Sequence, residues 1–208
     1  GDISGTVTAK GAAANPSVGY DLSWNNAAVS QTRAAGLAPL SIKANGTFAD
    51  NLLNITTGLT GQGGLSLSGG GSVGISGNQP LSLAFKGNLP FAAVAAQTAE
   101  QGLSVTGSAN IDLNISGTAA APSITGTVST DGTQLTDVRR NLTVNNLGAT
   151  ITFDRDRAVI SRLSGRLAAG GTISASGSVG ITPASNFPAD LSIVLDRAAY
   201  NDGTLVTT

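Results

Sequence analysis

Apolar residues recur at every second position over much of this chain. From Leu103 the sequence reads LSVTGSANIDLNISG. Leu103, Val105, Ala109, Ile111, Leu113 and Ile115 share one parity, and Ser104, Thr106, Ser108, Asn110, Asp112, Asn114 and Ser116 share the other. A helix would scatter these residues around its axis, whereas a strand sends them to opposite faces, so the pattern predicts amphipathic β-strands. The same alternation returns in Leu65, Leu67 and Val73; in Leu81, Leu83 and Phe85; in Leu147, Ala149, Ile151 and Phe153; in Ile173, Ala175, Gly177, Val179 and Ile181; and in Leu191, Ile193 and Leu195. Turn signals lie between the runs at Asn45-Gly46, Gly63-Gly64, Asp131-Gly132, Gly170-Gly171 and Asp202-Gly203. Such pairs supply the left-handed backbone that tight hairpins require. One segment breaks the series: Asn88 is placed to cap a helix, Pro90 suits its first turn, an Ala-rich stretch follows and Gly102 stops it. This predicts one short helix near residues 90–101, closing one end of a sheet.

The pattern also repeats on a longer scale. GAAANPSV (Gly11 to Val18) matches GTAAAPSI (Gly117 to Ile124), an offset of 106 residues. LSLSGGGSVGI from Leu65 matches TISASGSVGI from Thr172, and Pro80 with the LSLAF after it resembles Pro188 with LSIVL. A period this long is a many-stranded sheet segment stacked on a copy of itself. We expect two such units, 1–102 (carrying the helix) and 103–208, as parts of one continuous elongated sheet. The chain begins at Gly1 without Met and ends in a strand-like run, Leu205 to Thr208, as a piece of a larger protein would.

Composition decides how such a sheet hides its apolar face. Hydrophobic residues make up 40% of the chain, yet there are only 5 Phe, 2 Tyr and 1 Trp, and no Met or Cys. The inward side must be built from Leu, Ile, Val, Ala and Gly. Two facing sheets stand about 10 Å apart and are usually filled by larger side chains. Small aliphatic residues favour instead an all-β, curled antiparallel sheet (a β-taco) with an apolar concave face. Tyr20 and Trp24 alternate with Leu22 and belong to that face rather than to a carbohydrate platform.

Charge and chemistry narrow the function. The 11 basic and 12 acidic residues balance, which excludes nucleic acid, since that requires clustered Lys and Arg, and an electrostatic membrane anchor. With no His and no Cys, imidazole and thiolate catalysis and metal cages of either type are excluded. Lys10, Lys43 and Lys86 are the only lysines for a Ser-Lys dyad, and they fall at strand edges or turns. In Asp154-Arg155-Asp156-Arg157 the arginines neutralise both carboxylates, so this is a charged hairpin turn rather than a metal site. The Gly-rich stretch from Gly61 to Gly77 holds no Asp and no Lys-Ser/Thr, so it marks bends and close packing rather than a phosphate or calcium loop. No enzyme, cofactor or metal is expected, and no apolar run approaches the roughly 18 residues of a spanning helix.

The stretch Leu147 to Ile181, LGATITFDRDRAVISRLSGRLAAGGTISASGSVGI, resembles the C-terminal repeats of the TamB family, the large subunits of the translocation and assembly module and members of the AsmA-like, bridge-like transport proteins. Its order is strand, charged hairpin, strand, Gly-Gly, then GSVGI. GTAAAPSITGTVS before it and LDRAAYNDGTLVTT after it resemble the flanking segments of such a repeat. The likeness spans residues 103–208 and is fainter in the first half, where the hairpin is Ala49-Asp50-Asn51. It implies a periplasmic part of an inner-membrane-anchored protein of the Gram-negative envelope, meeting a TamA-like outer-membrane β-barrel partner. It further implies support of outer-membrane protein assembly, autotransporter secretion and phospholipid transport, with phospholipid or an unfolded outer-membrane protein as client. On this reading Leu103, Val105, Ile111, Leu113, Ile115, Ile151, Phe153, Ile173, Val179, Ile181, Leu191, Ile193 and Leu195 line an apolar groove. The rival is a surface adhesin or autotransporter passenger, a β-solenoid without a lipid conduit. Passenger repeats are typically about 20 to 30 residues long, whereas the period here is 106.

Overall fold

The computed structural model describes residues 1–12, 15–34, 36–181 and 188–199. The chain is all-β and antiparallel, as the alternation predicts. Its strands are β1 (Asp2–Ala12), β2 (Asn15–Ala27), β3 (Leu40–Ala49), β4 (Leu52–Thr60), β5 (Ser66–Gly74), β6 (Pro80–Pro90), β7 (Leu103–Thr106), β8 (Ser108–Thr118), β9 (Pro122–Asp137), β10 (Leu142–Arg155), β11 (Arg157–Leu167), β12 (Thr172–Gly180) and β13 (Ala189–Asp196). Hydrogen bonds link them in chain order from β1 to β6, then β8 to β13, with β7 off this path and paired to β9. Such next-neighbour pairing follows from short hairpin connections. Among the described residues the order does not close on itself, and β1 and β13 stand at its two ends. Two compact units are distinguished, Gly1–Leu89 with Ile111–Gly126, and Pro90–Asn110 with Thr127–Thr208.

Among the described residues two short helices accompany the sheet where one was expected: α1 (Ser30–Ala34) and α2 (Ala95–Glu100). At five residues α1 is too short to leave a readable helical period. The residues around α2 differ in role from the expectation. Asn88 lies inside β6 and is not the N-cap residue, because the backbone stays extended through Pro90 (φ −61°, ψ 137°) and a 3-10 turn, Phe91–Val94, comes first. Gly102 does end the helical segment, at φ 78°. Arg139 also secures it, its guanidinium donating to the Glu100 carbonyl at 2.8 Å, a basic group at a helix C-terminus.

The turn signals divide. Gly63-Gly64 and Gly170-Gly171 lie in the connections β4–β5 and β11–β12, with φ of 68° and 82°, and of 113° and 87°. The charged turn joins β10 to β11, with Asp154 opposite Arg157. Asp202-Gly203 lies outside the described residues. Asn45-Gly46 is not a turn: it sits within β3, and the hairpin falls at Asp50-Asn51 (φ 51° and 58°), with Ala49 opposite Leu52. Gly46 serves close approach instead. A Cβ there would lie 2.7 Å from the Tyr20 hydroxyl and collide with the Asn54 carbonyl, to which that hydroxyl donates at 3.1 Å. Asp131-Gly132 likewise lies inside β9 rather than between strands; Gly132 has φ 65°, and its N–H donates to the Asp131 carboxylate at 3.0 Å.

The sequence repeat corresponds to six strands. Residues 106 apart take the same unusual backbone: Gly11 and Gly117 have φ of 97° and 89°, and Gly71 and Gly177 have φ of 138° and 147°. Gly71 faces Leu83 across β5–β6, and Gly177 faces Leu191 across β12–β13. By these marks β1 to β6 correspond to β8 to β13, and the segment with α2 and β7 lies between the copies.

Candidate functional site

Directly paired residues of adjacent strands project to the same side of a sheet, so the register lays out both faces. In the first unit one row runs Ala9, Val18, Phe48, Leu53, Val73, Leu81 from β1 to β6. The next runs Val7, Tyr20, Gly46, Ile55, Gly71, Leu83, and the one after it Gly5, Leu22, Ala44, Thr57, Gly69, Phe85. A fourth runs Ile3, Trp24, Ile42, Leu59, Leu67, Gly87. These rows hold no charged residue, and Thr57, the Tyr20 hydroxyl and the Trp24 indole N–H are their only polar side-chain groups. The intervening rows face the other way and are polar: Thr8, Gly19, Thr47, Asn54, Ser72, Ser82, for example, or Ser4, Ser23, Lys43, Gly58, Ser68, Lys86. Six strands therefore share one unbroken apolar face.

The second unit has the same arrangement on β10 to β13. Its apolar rows are Phe153, Ala158, Val179, Ala189, then Ile151, Ile160, Gly177, Leu191, then Ala149, Leu163, Ala175, Ile193. Gly165, Ile173 and Leu195 continue them. Bulges between Asn145 and Gly148, Thr150 and Ile151, and Ile160 and Leu163 interrupt the pairing without exchanging the faces. Opposite lie Ser164, Ser174, Ser176, Ser178, Thr172 and Arg166.

Of the residues expected to line a groove, Ile151, Phe153, Ile173, Val179, Leu191, Ile193 and Leu195 thus share one face of the second unit. Ile181 follows β12, its N–H bonded to the Asp156 carbonyl at 2.8 Å. Leu103 and Val105 lie on β7, opposite Asp137 and Leu135 of β9. Ile111, Leu113 and Ile115 lie on β8, within the first unit. All are half-buried except those of β13, where Leu191, Ile193 and Leu195 are 50, 63 and 57% exposed. Of the first unit's face, Tyr20 and Trp24 were expected on an apolar face, but Ile42, Phe48, Leu53, Ile55 and Leu59 were not among the residues expected to line a groove. Period-2 alternation was its only signal, and Gly46, Thr57 and Gly69 interrupt it.

Fully buried apolar side chains occur only at one strand end of each unit among the described residues. In the first unit they are Ala27, Leu37, Leu40 and Leu65. The loop after α1 is fastened there by the Gln62 N–H to the Leu37 carbonyl at 3.0 Å. In the second they are Ala109, Val144 and Leu167, the last two opposite one another. Asp137 is buried there too, at 8% exposure. Hydrogen bonding from the Arg140 side chain holds its carboxyl below the ordinary range; burial opposes this, and the Arg140 backbone N–H (3.0 Å) and charge reinforce it. The buried Thr133 hydroxyl bonds that of Thr130, which also donates to the Ser108 carbonyl at 2.7 Å. These polar groups partner one another in fastening a strand end, and none is aimed at a ligand.

Among the described residues no group of His, Cys, Asp or Glu is placed to hold a metal ion, and no helix is long and apolar enough to cross a membrane. Fold and face together define a class: an antiparallel repeat sheet, open at its edges, with one continuous apolar face per unit. Compared with known proteins, the chain matches no family model, no curated protein and no solved structure.

Proposed function

We propose that this chain is an apolar-faced β scaffold that carries extended clients, phospholipid acyl chains or unfolded outer-membrane protein strands, along its sheet. This is the role its resemblance to the TamB family implies, in the periplasm and next to an outer-membrane β-barrel. The observation that supports the reading is the set of apolar rows, whose side chains are half-buried or, on β1 and β13, exposed. An acyl chain of about 15 methylenes gains about 0.8 kcal/mol for each one removed from water, on the order of 12 kcal/mol gross. On a face of similar aliphatic side chains it exchanges near-equal contacts at each step, so it slides without a deep trap. With the charged residues on the other face, no ion has to be desolvated on the way.

Photo-crosslinking side chains placed at Leu113, Ile151 and Ile193 in living cells test this. Lipid adducts are the expected result for a conduit, and adducts to unfolded barrel proteins for an assembly scaffold. Adducts to neither would overturn the proposal.

A further inference from the structure

Two of the turn signals, Asn45-Gly46 and Asp131-Gly132, lie inside strands, and both carry the same latent chemistry. In such pairs the glycine nitrogen can attack the carbonyl carbon of the side chain before it, because glycine has no side chain to block the approach. Asn-Gly is the more reactive pair in an unfolded chain, since an ionised carboxylate is a poorer electrophile than a neutral amide. The fold treats the two in opposite ways.

Asn45 and Gly46 are held on both sides. Asn45 stands opposite Asp21 of β2 and Thr56 of β4, and Gly46 opposite Tyr20 and Ile55. The amides of such an interior strand are committed to neighbouring carbonyls. Gly46 is crowded as well, by the Tyr20 hydroxyl and the Asn54 carbonyl. Closing a ring from Asn45 onto the Gly46 nitrogen requires this ladder to open first.

Asp131 and Gly132 are not held in this way. Residues three apart in a regular strand lie about 10 Å from one another, on opposite faces. The hydroxyls of Thr130 and Thr133 nevertheless bond each other, so β9 is kinked between them. Gly132 takes φ 65° at the kink, and its N–H donates to the carboxylate of Asp131 at 3.0 Å. The nitrogen is thus already turned toward the side chain it would attack. Both residues are exposed, and among the described residues nothing beyond the chain neighbours lies within 4 Å of where a Gly132 Cβ would stand. Ring closure there displaces no neighbour, and water reaches the product.

We infer that Asp131 is a site of spontaneous backbone isomerisation in the folded chain, while Asn45 is protected from the parallel reaction. The Gly132 nitrogen bonds to the Asp131 carboxyl carbon. A carboxyl oxygen leaves as water, carrying the carboxyl proton and the amide proton, and a five-membered succinimide remains. Water then adds back. Opening at the side-chain carbonyl restores aspartate, and opening at the main-chain carbonyl gives isoaspartate. No oxidant or reductant is needed and the mass is unchanged. The isoaspartyl chain runs through the Asp131 Cβ, which lengthens the backbone by one carbon between Thr130 and Thr133, beside the bond from Thr130 to the Ser108 carbonyl.

The test is peptide mapping of the 208-residue chain, incubated folded and in urea above its unfolding transition. Electron-transfer fragmentation distinguishes isoaspartate from aspartate at position 131, and the mass gain of deamidation follows Asn45. The ratio of unfolded to folded rate should be near unity at Asp131 and at least about tenfold at Asn45, where the ladder must open. Asp131→Asn makes the comparison direct, because it puts two Asn-Gly pairs in one chain. Position 131 should then deamidate at least about tenfold faster than Asn45 in the folded chain, and the two should react at comparable rates in urea. Asp131→Glu keeps the charge but would need a six-membered ring, so it should lose the isomerisation. A ratio at Asp131 as large as that at Asn45 overturns the inference, since the fold would then protect both pairs. So do equal rates at the two positions of the folded Asp131→Asn chain.

Discussion

The two units fasten a strand end by different chemistry. In the first, Ala27, Leu37, Leu40 and Leu65 do it by apolar burial, with backbone hydrogen bonds tying the α1 loop down. In the second, Val144 and Leu167 are joined by the buried Asp137, held by the exposed Arg140, by Arg139 on the end of α2, and by Thr130 with Thr133. The difference sets what each end responds to. Apolar burial depends on packed volume and ignores protons, whereas a carboxylate held by a guanidinium fails when it is protonated. In both units the face between the strand ends contributes less, because it remains half-exposed.

The largest expected effect tests the apolar end against the open face. Leu40→Ala removes a buried side chain from a site with little room to relax, and should cost about 2–5 kcal/mol. Ile55→Ala lies in the middle of the half-buried rows and should cost only about 1 kcal/mol. Urea denaturation of the two variants measures both. Equal costs would mean that the face is as tightly packed as the end, which would also weaken the proposed carrier role.

The polar end is tested by pH. The Asp137 carboxyl titrates below its usual 3.8 in the folded chain. Its contribution is therefore fully present above the unfolded value and is lost as pH falls through the folded one. Asp137→Asn should lower the urea midpoint at neutral pH, and the gap between variant and wild type should close below about pH 4. A gap that persists in acid would assign the role of Asp137 to shape rather than charge. Leu40→Ala should show a gap independent of pH, and so serves as the control.

How much of this was legible in the sequence follows from the range of the interactions. Alternation along LSVTGSANIDLNISG is a local property, so strands and faces could be read from it, and the 106-residue repeat gave the six-stranded unit. Asn45-Gly46 was misread because a glycine that admits Tyr20 from the next strand is indistinguishable, in one dimension, from a glycine that turns the chain. Leu37 and Leu40 went unread as core because they flank a cis Ala38-Pro39 loop with no period of its own. The burial of Asp137, which faces Leu103 where β7 pairs with β9, rests on a contact that no local pattern announces.

The smallest effect is expected at the Lys86–Asp112 ion pair, and it separates marking a register from stabilising it. The side chains are 68 and 51% exposed, so solvent screens their attraction and the ordering of a long lysine offsets part of it. Exposed pairs of this kind contribute about 0–1 kcal/mol. Lys86→Ala should thus lower the unfolding free energy from urea denaturation by no more than a few tenths of a kcal/mol, and less at high salt. The strand pairing itself should survive, because β6 and β8 are joined by backbone bonds at both ends and by apolar neighbours on the other face. Hydrogen exchange at the amides of Phe91 and Ala119, which hold those two ends, reports this directly. Unchanged protection is the expected outcome. Faster exchange at both amides would show that the charges, rather than the apolar rows, keep β8 in register.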